Sequence, residues 1–154
     1  ANGVLQQAGS AQDADRTEVH DHRVVDDATA GTVTIAHFDV VDATGTLTDR
    51  VSSAEASHTI RRAVLELREQ MWERHGAVTQ FVGGDNAIAV CPSLTPSTLD
   101  SVNDHVRETT GVELQVGVGR GPTAHAAGDG AKHALEHCRE TGERIHAAFS
   151  LVER

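Results

Sequence analysis

The chain has no tyrosine, and only one tryptophan, three phenylalanines, two cysteines and one lysine among its 154 residues. Cys91 and Cys138 are too few and too far apart for a disulfide framework or a thiolate zinc set, and they point to a reducing compartment. Lys132 is the one lysine, so 12 of the 13 basic residues are Arg, set against 23 Asp plus Glu for a formal charge of −10. No basic face is broad enough to track a phosphate backbone, which disfavours general nucleic-acid binding and, for the same reason, anionic membrane surfaces. No apolar run reaches the roughly 20 residues of a membrane-spanning helix, and the start, Ala1-Asn2-Gly3-Val4-Leu5, lacks a signal-peptide layout. A cytoplasmic protein is expected. What is abundant is short acidic side chains, Ala, Thr and Gly: a composition that stays hydrated in concentrated salt, although a GC-rich genome produces a similar bias. The first residue is not Met, as in a fragment or a processed chain.

Residues 1–30 read as a linker with a leader helix over 11–23, ended by Asp26-Asp27-Ala28-Thr29-Ala30-Gly31. Residues 31–154 read as one domain. Thr32 to Val41 alternates, Val33 and Ile35 on one face and Phe38 and Val40 on the other, as a strand buried on both sides. Ser52-x-x-Glu55 is a capping box opening a helix with Ile60, Val64, Leu67 and Met71 at helical spacing and a stop at Gly76. Two short apolar runs, 77–82 and 87–90, flank Gly83-Gly84-Asp85-Asn86, a hairpin composition. A second helix carries Leu99, Val102 and Val106, a fourth strand Val112, Leu114, Val116 and Val118. A last helix, capped by Thr123, presents Ala127, Ala131, Leu135 and Cys138. The order β-α-β-β-α-β-α contains the split βαβ of a ferredoxin-like, palm-type α+β domain, an antiparallel sheet with helices on one face.

Asp39 near the end of the first strand and Asp85 in the hairpin turn converge at one edge of such a sheet. Paired hard oxygen ligands open to solvent suit Mg²⁺, which keeps waters and binds substrate phosphates. Asp85 beside Gly is also ordinary turn chemistry. His37 shares the face of Asp39 and is a candidate proton donor, or a plain strand histidine. The loop Asp42-Ala43-Thr44-Gly45-Thr46-Leu47-Thr48-Asp49 offers backbone N–H groups and hydroxyls that cradle phosphates without basic side chains. Gly117-Val118-Gly119-Arg120-Gly121 permits close backbone approach to a ligand, with a packing role the simpler reading for Gly121. Lys132 and Arg139, two turns apart on the last helix, can face the same way toward phosphates, with an exposed solvating charge the simpler reading. The remaining histidines show no metal-ligand spacing; His133 and His137 lack the Glu of a zincin motif.

Five motifs in register, 9–13 (Gly-Ser-Ala-Gln-Asp), 35–39 (Ile-Ala-His-Phe-Asp), 44–49 (Thr-Gly-Thr-Leu-Thr-Asp), 81–86 (Phe-Val-Gly-Gly-Asp-Asn) and 117–119 (Gly-Val-Gly), resemble archaeal GTP cyclohydrolase III from about Leu5 to Gly142. The resemblance implies the palm fold of nucleotidyl cyclases and GGDEF domains. It also implies Mg²⁺-dependent opening of the GTP imidazole ring with phosphate release, giving a formylaminopyrimidine ribotide for flavin and deazaflavin synthesis. Carried over by position, Asp39, Asp85 and the Val40 carbonyl hold metal, and Asp42, Thr44, Gly45, Thr46 and Thr48 hold phosphates. Gly83, Gly84 and Asn86 line the sugar and base pocket, and Asp49 contacts guanine or supports it. Family members contain two palms, and this chain resembles the carboxy-terminal one behind its linker helix. It is expected to pair with itself or with an amino-terminal palm. Two other readings stand beside this one: a nucleotidyl or diguanylate cyclase-like domain, weakened because Asp85-Asn86 lacks the Glu-Phe ending of that signature, and a non-catalytic GTP-binding half.

Overall fold

The computed structural model describes residues 31–41, 49–92 and 94–149. The expected leader helix, the segment 9–13 and the phosphate-loop residues Asp42, Thr44, Gly45, Thr46 and Thr48 lie outside them. In chain order the elements are β1 (Val33–Val40), α1 (Ser53–His75), β2 (Val78–Gly83), β3 (Asn86–Cys91), α2 (Pro96–Thr110), β4 (Leu114–Gly121), α3 (Ala124–Thr141) and β5 (Ile145–Ala147). The helix starts follow the sequence signals. Ser52 Oγ accepts from the Glu55 N–H at 3.3 Å while Glu55 Oε2 accepts from the Ser52 N–H at 3.2 Å, a reciprocal capping box that satisfies two otherwise unpaired donors. The Thr95 and Thr123 hydroxyls cap α2 and α3 singly, accepting from the N–H groups of Thr98 and Ala126 without a reciprocal side chain.

The strands form one sheet in the order β2-β3-β1-β4-β5. Strand β1 pairs antiparallel with β3 and β4, which places it at the centre as its two-sided apolar pattern requires. Its even positions, Ala36, Phe38 and Val40, enter the main core with Val64, Leu67 and Met71 of α1, Leu99, Val102 and Val106 of α2, and Leu114, Val116 and Val118 of β4. Ile35 turns to the other face and packs with Ala127 and Ala131 of α3, joined by Val33 and Ile88.

The ferredoxin-like α+β class stands, with two departures, the first in layering. Only α1 and α2 share a face; α3 covers the opposite one. The cause is visible in β4. A Cβ added to Gly117 would overlap the Ala131 carbonyl oxygen and the Leu135 nitrogen, and one added to Gly119 would overlap the Ala127 carbonyl oxygen and the Ala131 nitrogen. The close approach expected of this glycine run is therefore made to the backbone of α3. At Gly121 a Cβ would meet the Ala126 Cβ at 2.8 Å, the packing role read from the sequence. The second departure is β5, parallel to β4 and too short to show an alternating pattern. On the outer side, β2 is an edge strand. Val78 and Val82 on it, with Leu65 and Trp72 on α1, leave large apolar side chains exposed. Among the described residues no helix is long and apolar enough to cross a membrane.

Candidate functional site

The end of the sheet where β1 stops and the β2–β3 hairpin turns gathers the polar residues. Asp39 is the register partner of Asn86 across β1 and β3, and the next N–H along, that of Val40, donates to the Asp85 carbonyl at 3.2 Å. Gly83 (φ 113°) and Gly84 (φ 61°) take the left-handed conformations the turn needs, which side-chain-bearing residues adopt at a cost. A register shift between Phe81 and Gly83 bends the strand into that turn. The two aspartates thus lie beside each other, as the topology predicted.

Asp39 is buried, 8% exposed, because α3 lies over its face of the sheet. Burial pushes its carboxyl above the usual aspartate value. A hydrogen bond from Arg139 opposes that shift, and the Asp85 charge adds to it. Arg139 on α3 holds Asp39 Oδ2 with Nε at 2.8 Å and Nη2 at 2.7 Å. The other oxygen, Oδ1, is buried and has no hydrogen-bond partner among the described residues. A buried carboxylate oxygen left unpartnered is costly, and beside a second carboxylate it suits a hard cation.

A relay links the rest. Asn86 Nδ2 donates to Asp85 Oδ1 at 2.9 Å, which fixes the amide orientation, so Asn86 Oδ1 accepts from His37 Nε2 at 3.0 Å. His37 therefore carries its proton on Nε2. Burial lowers its pKa below the ordinary 6.5; the Asn86 hydrogen bond opposes this, and the Arg139 and Lys132 charges reinforce it. Lys132 is exposed on α3 and acts on His37 through its field.

The structure therefore brings together Asp39, Asp85, Asn86, His37 and Arg139, with Lys132 at the margin. Gly83 and Gly84 shape the turn. Asp49 is exposed in a turn ahead of α1 and makes no hydrogen bond to the cluster among the described residues. Sequence reasoning placed Arg139 toward phosphates and missed its grip on Asp39, an interaction across 100 positions that no local pattern encodes. It also missed Gln115, whose buried amide donates to the Cys138 and Glu143 carbonyls at 2.9 Å each and anchors the end of α3. Both thiols are buried, Cys91 pushed up to about 12 and Cys138 also raised, so neither serves as a nucleophile near neutral pH.

The sequence model of the family "GTP cyclohydrolase III" matches residues 1–153. "GTP cyclohydrolase III 2" of Halobacterium salinarum is 54% identical over 155 residues, covering 99% of this chain and 61% of that protein. "GTP cyclohydrolase III" of Methanocaldococcus jannaschii is 36% identical over 142 residues, covering 90% of this chain and 51% of that one. The chain thus spans between about half and three fifths of these relatives' lengths. Among solved structures, the GGDEF domain of DgcB from Caulobacter crescentus, in complex with c-di-GMP, superposes with a TM-score of 0.65 at 18% identity, covering 80% of this chain and 81% of that one. A bacterial light-regulated adenylyl cyclase gives 0.58 at 14%, covering 74% and 42%. At these identities the two structures speak to the fold.

Proposed function

The chain belongs to the GTP cyclohydrolase III family, and from that premise we propose that it carries the nucleotide- and metal-binding palm of an enzyme that opens the imidazole ring of GTP and releases phosphate. The product would be a formylaminopyrimidine ribotide, a precursor for flavins and deazaflavins made in the cytoplasm. The observation that carries the reading is the pair Asp39 and Asp85 at one sheet end, with Asp39 Oδ1 buried and unpartnered among the described residues. The residues present fit Mg²⁺: two carboxylates, with the Val40 carbonyl next along the chain, form a hard oxygen set without thiolate or imidazole. When bound, the ion supplies Lewis acidity toward phosphate oxygens and lowers the pKa of attached water.

The chain's own residues divide the rest of the work. Arg139 offers five donors on a planar fork, of which Asp39 Oδ2 engages two nitrogens, so donors remain for a phosphate oxygen. Lys132 adds positive potential from the same helix. Asn86 holds Asp85 in place with its Nδ2 and orients His37 with its Oδ1, next to the turn of Gly83 and Gly84 where the sugar and base would lie. With its pKa lowered, His37 is neutral at pH 7. Its Nε2 proton is held by Asn86, so its Nδ1 lone pair is the one left to take a proton from the water that adds at C8 of the base, the electron pair of the C8–N7 double bond passing to N7. The phosphate-cradle role of Asp42, Thr44, Gly45, Thr46 and Thr48, and the guanine role of Asp49, remain parts of this proposal.

Since the chain spans about three fifths of its haloarchaeal relatives at most, the pocket is completed by a second palm, either another copy or an amino-terminal palm. The exposed apolar strip of Leu65, Trp72 and Val78 beside edge strand β2 supports pairing. The deciding experiment incubates the chain with GTP, Mg²⁺ and concentrated KCl, then reads the ultraviolet spectrum and the nucleotide mass. Loss of the purine spectrum with phosphate release establishes a cyclohydrolase; a cyclic nucleotide with intact purine absorbance establishes a cyclase. Mg²⁺-dependent GTP binding without turnover identifies the non-catalytic half. The Asp85→Ala variant should keep its fold by circular dichroism and lose Mg²⁺-dependent GTP binding at least tenfold. Unchanged binding would overturn the two-aspartate site.

A further inference from the structure

On the flank of α3 away from Asp39, the helix end meets the fifth strand. There His137 from α3, Glu143 from the connection and His146 from β5 converge: one ligand atom from each, all within 4.8 Å of one another. No local pattern marks this cluster, because the spacing follows no zinc motif and the three-residue strand that delivers His146 is too short to show an alternation. The imidazole rings lie 3.9 Å apart between centroids. Glu143 Oε2 stands 3.1 Å from His146 Nδ1 and 3.7 Å from His137 Nε2.

We propose that His137, Glu143 and His146 form a binding site for a divalent transition metal of the zinc class, distinct from the oxygen-only site at Asp39 and Asp85. The donor chemistry separates the two. Two imidazoles and a carboxylate suit Zn²⁺ and its neighbours, whereas Mg²⁺ prefers oxygen. Tetrahedral bonds of about 2.0–2.1 Å place neighbouring ligand atoms roughly 3.3 Å apart. The two gaps to Glu143 Oε2 bracket that value, and side-chain rotation of partly exposed residues closes the third. A water takes the remaining position from the solvent side.

Three features make this a held arrangement rather than a chance encounter of surface side chains. Gln115 Nε2 pins the carbonyls of Cys138 and Glu143, and the Val116 N–H donates to the Arg144 carbonyl at 2.8 Å, so the backbone bearing Glu143 is tied to β4 at both sides. Strand pairing places His146 opposite Gly117, beneath α3. Arg144, the nearest cation along the chain, is drawn to Asp104 at 3.0 Å and Asp100 at 3.9 Å, on α2. Bound metal would staple the three-residue strand β5 to the end of α3.

The test is titration of the chain with Zn²⁺ by calorimetry in saturating Mg²⁺, with Co²⁺ absorption spectra as a readout of coordination. One equivalent of Zn²⁺ is expected, with a Co²⁺ spectrum of tetrahedral intensity and a rise in Tm. His137→Ala and His146→Ala should each weaken that equivalent at least tenfold and abolish the Tm rise, while Asp39→Asn changes neither. Glu143→Gln, which preserves side-chain size, replaces any alanine variant that fails to fold by circular dichroism. Zinc binding unchanged in the histidine variants, zinc binding lost in Asp39→Asn, or no binding below millimolar Zn²⁺ would each overturn the proposal.

Discussion

The two faces of the sheet are built by opposite means. Under α1 and α2 the layers are held apart by large side chains: Phe38, Leu67, Met71, Leu99, Val102 and Val106 are essentially removed from solvent. Under α3 the contact with β4 is made with little side chain, Gly117, Gly119 and Gly121 meeting Ala127, Ala131 and the helix backbone, while Ile35 packs beside it. The first face gains stability in proportion to apolar area. The second gains proximity. A helix lying against bare strand backbone lets Arg139 reach Asp39 on the neighbouring strand, and puts Lys132 within electrostatic range of His37. One face thus draws its stability from buried apolar side chains, and the other from close backbone packing that also positions the chemistry.

The α3 face is most sensitive at Gly119. In Gly119→Ala the new Cβ would overlap backbone atoms of Ala127 and Ala131, which have no rotamer to retreat into, so α3 must lift. A loss of more than about 4 kcal/mol in urea unfolding is expected, together with exposure of Asp39, whose pKa should fall toward the ordinary aspartate value by NMR because the burial that raises it most is relieved. Wild-type stability in this variant would mean that the layers are not in backbone contact. Leu67→Ala, on the other face, should cost about 2–5 kcal/mol yet leave divalent-cation affinity within a few-fold of wild type. A large change in that affinity would show the two faces to be coupled.

Arg139→Ala separates the site from the packing, because it removes a site contact without disturbing the layers. Arg139 is 45% exposed, so solvent already screens part of the interaction; the cost at neutral pH should be about 1–2 kcal/mol. Its pH dependence carries the sign. The Asp39 pKa is raised in the folded state, so the folded protein holds that proton more tightly than the unfolded chain does. Stability from this group is present at low pH and declines as pH rises from the ordinary aspartate value through the folded one. Removing Arg139 raises the folded value again and extends the decline upward. Unfolding curves between about pH 3.5 and 7 would show it, and parallel curves for both proteins would refute the assignment.

How much of this was legible depends on the range of the interaction. Caps, helix faces and the two-sided pattern of β1 are set by neighbours within a few residues, and Ser52, Val64, Leu67 and Phe38 all take the roles their spacing implies. The meeting of Asp39 and Asp85 was legible because it follows from topology once the hairpin is recognised. What escaped depends on backbone closeness. Gly117 and Gly119 read as open to a ligand because a missing side chain carries no sign of what fills its place. Arg139, Gln115 and His146 acquire their partners only through the docking of α3 that those glycines permit.

The finest discrimination lies within the relay from Asp85 through Asn86 to His37. The His37 pKa is below 6.5 in the folded protein, chiefly through burial, so as pH falls the unfolded chain takes up the proton first. Stability from this residue is therefore full above pH 6.5 and is lost as pH falls from there toward the folded value. Asn86 accepts the Nε2 proton and supports the charged form, so Asn86→Ala should push the His37 pKa lower still, at a stability cost of about 1 kcal/mol. Arg139→Ala removes a repelling charge and should move the same pKa upward. NMR titration of the His37 ring reads both shifts. Opposite movements would separate the contribution of the hairpin from that of α3, whereas movement in one direction for both would mean that His37 responds to solvent entry rather than to either partner.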